Sequence, residues 1–224
     1  MIVGVPKETF PGERRVALVP AVVPTLAKAK CEVLVESGAG VAAFYPDAAY
    51  VEKGARIAAS RAEVFASADA VFQVLGHGAN DKTGRADLPL LRRDQVLIAF
   101  LRPLGSPESV KEIAATGATA FAVELMPRIT RAQNMDALSS MSTVAGFKAV
   151  LLAASTLPRM FPMLTTAAGT IPPARVLVVG AGLAGLQAIA TARRIRGATR
   201  GFRTRNSTND SGNSWPAWWP RATW

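Results

Sequence analysis

Short, continuous apolar runs alternate with stretches of helical spacing along most of this chain. Six runs of strand length occupy residues 2–5, 32–35, 70–75, 96–101, 119–123 and 175–179. Helical patterns occupy residues 16–29, 43–53, 61–66, 107–116, 137–154 and 186–195. Strands that lack polar alternation are buried on both faces, as in a parallel sheet covered by helices. The alternation therefore predicts an α/β protein with a doubly wound sheet.

A glycine-rich turn directly follows the last apolar run. It consists of Gly180, Ala181, Gly182, Leu183, Ala184 and Gly185. The first glycine of such a turn permits a tight bend, the second lets the backbone approach a pyrophosphate, and the third lets helix and strand pack closely. The start of the following helix would offer unpaired N–H groups to the phosphates. We predict that these six residues bind a dinucleotide; the alternative is a tight turn in another kind of α/β protein.

The acidic residue that would complete this pattern is missing. A dinucleotide fold places a carboxylate about 20 residues after the turn, at the end of the second strand, where it binds the adenosine ribose. Here no carboxylate occurs before Asp210. The region 201–205 carries arginines that would suit a 2′-phosphate, but the sequence shows no recognisable second strand around them.

Composition divides the chain into four segments. Residues 1–126 are predicted to form a Rossmann-like, doubly wound N-terminal domain. Residues 127–160 are a polar loop and an interdomain helix, and residues 161–196 are the first βα unit of a second, incomplete Rossmann domain. Residues 197–224 are rich in Arg, Asn, Ser, Thr and Gly and hold all four tryptophans. This atypical tail is predicted to be disordered.

The net charge of +10 does not indicate nucleic-acid binding. Seven arginines and one aspartate after residue 192 contribute +6, so the rest of the chain carries +10 − 6 = +4. The single cysteine, Cys31, makes no disulfide framework, and no metal site is predicted. No apolar run reaches 18 residues and the N-terminus lacks a secretory pattern. Neither a transmembrane helix nor a signal peptide is therefore expected.

Three stretches of sequence carry a family resemblance. The opening residues 4–8 and 12–20 resemble the start shared by alanine dehydrogenases and transhydrogenase α subunits. Residues 128–141, Arg-Ile-Thr-Arg-Ala-Gln-Asn-Met-Asp-Ala-Leu-Ser-Ser-Met, resemble the loop that transhydrogenases place over bound nicotinamide. The resemblance continues through residues 167–174 into the glycine turn. The chain is thus similar to the NAD(H)-binding α subunit, domain I, of proton-translocating NAD(P) transhydrogenases.

The resemblance implies hydride transfer from NADH to NADP⁺. NAD(H) would bind to this chain and NADP(H) to a partner subunit, while membrane subunits couple the transfer to proton translocation. It also implies a homodimer and a cytoplasmic location, peripheral to the inner membrane through partner subunits. In such a system the cofactors supply the chemistry, and the protein supplies orientation and excludes water.

The resemblance also assigns roles to polar residues. Arg128, Gln133 and Asp136 would be the catalytic residues and, with Ser139, would contact the nicotinamide and its ribose in a cleft shared with the glycine turn. An arginine offers a planar fork of donors, a glutamine one donor and one acceptor to a carboxamide, and an aspartate can accept from a ribose hydroxyl. Spacing alone favours a different interpretation, a helix cap at Asn134 or Asp136 with solvated arginines.

The alanine dehydrogenase branch is less well matched. It uses a lysine on the fourth strand and a histidine after the fifth. Residues 70–75 contain no lysine here, and Leu101-Arg-Pro103 contains no histidine. The only histidine, His77, is predicted to be a solvated turn residue. Arg15, which matches a substrate-contacting arginine of that branch, is interpreted as structural.

The resemblance is expected to end near Ile195. The tail is then interpreted as an out-of-frame product that truncates the second domain, with exposed strand edges and weak or absent NADH binding. Two other functions remain open: an alanine-dehydrogenase-like amino-acid oxidoreductase, and a non-catalytic fragment.

Overall fold

The computed structural model describes residues 1–195 and the backbone of residues 198–202. Most of the predicted disordered tail, residues 203–224, lies outside the described residues. The chain separates into two compact units, Met1–Ala137 and Leu138–Trp224. Each unit has a hydrophobic core of its own.

The first unit is built on a six-stranded sheet. Its strands are β1 (Ile2–Val5), β2 (Glu32–Glu36), β3 (Arg56–Ala58), β4 (Ala70–Leu75), β5 (Val96–Phe100) and β6 (Thr119–Ala122). The spatial order is β3-β2-β1-β4-β5-β6, and every neighbouring pair is parallel. This confirms the predicted doubly wound sheet, in which the winding reverses between β1 and β4. β3 was not predicted, because its three residues contain no apolar run and it is defined by pairing with β2.

Four α-helices connect these strands. They are α1 (Val23–Lys28), α2 (Asp47–Glu52), α3 (Arg61–Ser67) and α4 (Pro107–Ala115). The predicted helix over residues 16–29 is too long, because a residue that precedes a proline avoids helical geometry. Val19, before Pro20, is accordingly extended with ψ 153°. Pro46 is also extended, with ψ 157°, and α2 begins only after it.

Short 3-10 helices complete the connections. They span Pro20–Val22, Val41–Ala43, Gly84–Leu90, Val123–Leu125 and Thr130–Met135.

The core of the first unit packs against both faces of the sheet. Val3 and Val5 of β1 are fully buried, and burial of each such side chain contributes about 1.5–3 kcal/mol. Between them, Gly4 lies directly against α3. A Cβ atom on Gly4 would be 2.6 Å from Cβ of Ala68 and 2.7 Å from Cγ1 of Val64. The missing side chain therefore sets how closely this helix approaches the sheet.

The second unit begins with a long helix and contains two small sheets. Its elements are α5 (Ala137–Thr156), the antiparallel pair β7 (Leu164–Thr166) and β8 (Gly169–Ile171), then β9 (Arg175–Val179), α6 (Leu183–Arg194) and β10 (Ala198–Phe202). Its core consists of Val150, Phe161, Ala174, Ala188 and Ala192. β9 and α6 confirm the predicted strand and helix around the glycine turn.

β10 contradicts the expectation that no second strand follows the glycine turn. It pairs in parallel with β9 over five residues, from Ala198 opposite Arg175 to Phe202 opposite Val179. The sequence Ala-Thr-Arg-Gly-Phe has no apolar run, so composition does not identify it. Backbone hydrogen bonds to β9 and the crossover through α6 define the strand instead.

α5 also departs from expectation. By length and composition it is apolar enough to cross a membrane, the one such helix among the described residues, although one such helix is weak evidence of a span. Counting only uninterrupted apolar runs missed it, because the single charged residue Lys148 and several small polar residues interrupt the run. Its buried residues are Gly146 and Val150.

Candidate functional site

The glycine turn joins β9 to α6 in the second unit. Gly180 has φ +102°, in the left-handed region that favours glycine, and Gly182 precedes α6 with extended backbone. The Leu186 N–H donates to the Gly182 carbonyl at 2.8 Å and closes the first helical turn. No side chain caps this end of α6, and its first turn holds no acidic residue. The first N–H groups and the positive end of the helix dipole are thus available to an anion.

The three glycines of the turn differ in their surroundings. A Cβ atom at Gly180 or Gly182 would meet nothing within 4 Å among the described residues, so there is open space beside the backbone. A Cβ atom at Gly185 would lie 1.9 Å from the Gly180 carbonyl oxygen, so only glycine lets α6 start this close to the turn. Ala181 and Ala184 are half-buried, whereas Leu183 is 49% exposed.

A second glycine, Gly146 in α5, brings that helix onto the same turn. A Cβ atom at Gly146 would lie 2.1 Å from the carbonyl oxygen of Ala184. α5 therefore touches the backbone of the first turn of α6 directly. Sequence analysis missed this residue, because one glycine inside a helical pattern does not show which element it contacts.

The predicted nicotinamide residues lie on one polar segment at the end of the first unit. Arg128 precedes the 3-10 helix Thr130–Met135, which contains Gln133, and Asp136 follows it. The side chains of Arg128 and Gln133 are exposed, that of Asp136 is half-buried, and the segment is anchored by Ala132, which is 3% exposed.

Ser139 lies apart from the other three predicted residues by unit. It is half-buried in the first turn of α5, which is in the second unit. The structure thus groups Arg128, Gln133 and Asp136 on one segment and places Ser139 on the helix that follows.

His77 is not the solvated turn residue that was predicted. Its side chain is only 11% exposed, and Nε2 lies 2.6 Å from Oε2 of Glu112 on α4. The other carboxylate oxygen of Glu112 lies 2.6 Å from Nη2 of Arg85. The turn that contains His77 packs under α4, a contact that local sequence does not reveal.

Buried charges occupy the carboxyl edge of the sheet in the first unit. Arg61 donates Nε and Nη2 to the two oxygens of Asp87, each at 2.6 Å, and Gln73 donates to the same carboxylate at 2.9 Å. Burial lowers the pKa of Arg61, but the hydrogen bonds and charge of Asp87 outweigh it and the net shift is upward. The guanidinium stays charged, and this fork-to-carboxylate contact ties α3 to the segment after β4.

Two glutamates near β1 are shifted in opposite directions. Burial raises the pKa of Glu8, although its carboxylate accepts hydrogen bonds from the Val74 and Leu75 N–H groups at 2.6 and 3.1 Å. The pKa of Glu13 is lowered by its hydrogen bonds from Arg15, whose Nε donates to it at 2.8 Å. Arg15 is therefore engaged in a local ion pair.

The doubly wound parallel sheet, followed by a strand, an open glycine turn and an uncapped helix, places this protein among the dehydrogenase-like α/β proteins. More narrowly, the chain belongs to the alanine dehydrogenase/PNT family. The N-terminal domain of that family, "Alanine dehydrogenase/PNT, N-terminal domain", matches residues 4–145, and its C-terminal domain matches residues 149–215. The match reaches 20 residues beyond Ile195 (215 − 195), so the expected end of the resemblance was placed too early.

Known relatives come from both branches of this family. The chain is 45% identical over 210 residues to the first portion of the NAD(P) transhydrogenase alpha subunit of Rhodospirillum rubrum, covering 94% of this chain and 54% of that protein. It is 34% identical to alanine dehydrogenase of Mycobacterium tuberculosis, covering 84% and 49% of the two chains. The crystal structure of a transhydrogenase from Sinorhizobium meliloti superposes with a TM-score of 0.85 at 42% identity, covering 92% and 60%. The chain therefore spans about half the length of the relatives it matches.

Proposed function

We propose that this chain is the NAD(H)-binding part of a proton-translocating NAD(P) transhydrogenase. It would hold NADH while a partner subunit holds NADP⁺, and hydride would pass directly between the two nicotinamides. NADH then becomes NAD⁺ and NADP⁺ becomes NADPH, so the transfer balances without an added acid or base. Membrane subunits would carry the proton movement and hold the chain, as a homodimer, at the cytoplasmic side of the inner membrane.

The observation that carries this proposal is the open glycine turn before α6. A dinucleotide pyrophosphate needs backbone that it can approach and N–H groups that it can bind. Gly180 and Gly182 leave open space beside the turn. The start of α6 lacks both a capping side chain and an acidic residue that would compete with phosphate.

The polar segment supports a nicotinamide contact in the proposed function. Arg128 and Gln133 are exposed on a segment that the buried Ala132 anchors, so both side chains can reach a ligand without unfolding their surroundings. Arg128, Gln133 and Asp136, with Ser139, would orient the nicotinamide and its ribose. Orientation of two reactants is the main contribution that a protein can make to direct hydride transfer.

The first unit favours the transhydrogenase reaction over amino-acid oxidation. Oxidation of an amino acid needs a group that accepts a proton from the substrate. β4 offers Gln73, which donates to Asp87, in place of a basic residue. The only histidine, His77, is paired with Glu112.

A chimera tests the proposal, since the chain spans about half of its relative. Residues 1–195 would be joined to the remaining portion of the R. rubrum protein and combined with NADP(H)-binding and membrane subunits. We expect NADH-dependent reduction of thio-NADP⁺, and a loss of about 10–100-fold in rate for Arg128→Ala because the nicotinamide is misplaced. The matched control is Arg159→Ala, an exposed arginine of the second unit.

Two other results would contradict the proposal. A chimera that binds no NADH would show that the glycine turn is not a cofactor site. NADH oxidation that requires pyruvate and ammonium would identify an alanine dehydrogenase. Calorimetric titration of the unmodified chain separately tests the expectation of weak NADH binding, which a micromolar Kd would refute.

A further inference from the structure

Glu124 lies at the root of the polar segment and was not identified from sequence. It is in the 3-10 helix Val123–Leu125, directly after β6 and four residues before Arg128. Its Oε1 accepts the Leu101 N–H at 2.9 Å and also the Arg102 N–H. One carboxylate oxygen thus joins the end of β6 to the end of the neighbouring strand β5.

The backbone that Glu124 holds is strained. Arg102 has φ +53°, in the left-handed region that residues with a side chain rarely adopt, and such a conformation persists only where surrounding contacts enforce it. The Arg102 carbonyl in turn accepts the Gly105 and Ser106 N–H groups at 3.0 and 2.9 Å. The paired N–H groups of Leu101 and Arg102 therefore stabilise the whole turn that leads into α4.

The end of β5 is also wedged from its other side. A Cβ atom at Gly76 would lie 2.7 Å from Cδ2 of Leu101, and one at Gly78 would lie 2.2 Å from the Leu101 carbonyl oxygen. Leu101 itself is only 4% exposed. This strand end cannot move freely, so a group bonded to it is fixed in position.

The second oxygen of Glu124 is buried and has no hydrogen-bond partner among the described residues. Burial of an unpaired carboxylate oxygen is unfavourable. A residue chosen for stability alone would satisfy both of its oxygens. The cost is consistent with a carboxylate retained for what its other oxygen holds in place.

We infer that Glu124 is a positioning residue for the nicotinamide segment: it fixes the root of residues 126–136 to the rigid end of β5. This inference rests on the proposed function for the role of Arg128, Gln133 and Asp136. Its structural content, the restraint of that segment by Glu124, is independent of any activity. The part that Glu124 plays in hydride transfer is through these residues and not by contact with a cofactor.

Hydrogen exchange on the full chain tests the restraint. In Glu124→Ala, the N–H groups of Leu101 and Arg102 lose their acceptor. We expect exchange to rise about tenfold at residues 101–102 and across residues 126–136. Glu124→Gln keeps a carbonyl oxygen that accepts both N–H groups, so it should restore slow exchange. Glu108→Ala, which removes an exposed carboxylate paired only with Lys111, is the control and should change neither region.

Unchanged exchange over residues 126–136 in Glu124→Ala would overturn the inference, whatever the chimera does. In an active chimera, Glu124→Ala should lower kcat and raise the KM for NADH, and Glu124→Gln should retain most activity. Equal losses in the two variants would instead place the carboxylate charge against a reacting group and refute a positioning role. An inactive chimera with the expected exchange pattern would contradict the proposed function and leave the restraint demonstrated.

Discussion

Replacing Gly146 with alanine tests the contact between α5 and the glycine turn. The added Cβ atom would lie 2.1 Å from the carbonyl oxygen, 2.9 Å from the carbonyl carbon and 3.0 Å from Cα of Ala184. Comfortable contacts between carbon atoms are about 3.5–4.0 Å. All three neighbouring atoms are backbone, so no side chain can rotate away, and one of the two helices must withdraw.

The expected magnitude follows from two opposing effects. Alanine favours a helix interior over glycine by about 0.8–1.0 kcal/mol. Overpacking costs about 1–3 kcal/mol, and a clash against backbone lies at the upper end. The net loss in the free energy of unfolding should therefore be about 2 kcal/mol, which corresponds to a fall in Tm of roughly 4–8 °C for a chain of this size.

Urea unfolding followed by far-ultraviolet circular dichroism would measure the Gly146→Ala effect. The control is Ala145→Gly at the adjacent exposed position, which isolates helix propensity and should cost about 1 kcal/mol. A Gly146→Ala protein that is more stable than the original, by the amount that Ala145→Gly loses, would refute the close contact between α5 and α6.

Three further predictions concern other regions of the chain. Gly182→Ala places a methyl group in open space, so in the chimera it should weaken NADH binding by calorimetry about tenfold or more while shifting stability by less than about 1 kcal/mol; equal loss of both would contradict a phosphate role. Because the pKa of Glu13 lies below its ordinary value of 4.5 through its hydrogen bonds from Arg15, its ionised form contributes stability above that value, and the contribution is lost as the pH falls through the lowered pKa. Urea unfolding of Glu13→Gln should thus differ most from the original chain at neutral pH, and a difference that grows in acid would show the opposite sign. Tyr50→Phe removes the 2.8 Å hydrogen bond to the Leu18 carbonyl and should cost about 1–3 kcal/mol in unfolding free energy, since a buried acceptor is left unpaired; an unchanged Tm would show that water replaces the hydroxyl.

Sequence alone determined the sheet and the glycine turn. The runs over residues 2–5, 70–75 and 175–179 coincide with β1, β4 and β9, because a strand buried on both faces must be apolar throughout. The turn is equally local, since Gly180 requires φ +102° within the two residues that separate β9 from the helix cap. Such features depend on neighbours in the chain and are therefore visible in the sequence.

Tertiary structure decided the features whose partners are distant or are backbone atoms. β10 is a strand because β9 pairs with it, not because its residues favour one. Glu124 holds N–H groups 22 and 23 residues away, and His77 is buried under a glutamate 35 residues along the chain. Side-chain type and spacing do not encode such contacts, because a polar residue looks the same in sequence whether it faces water or a buried backbone group.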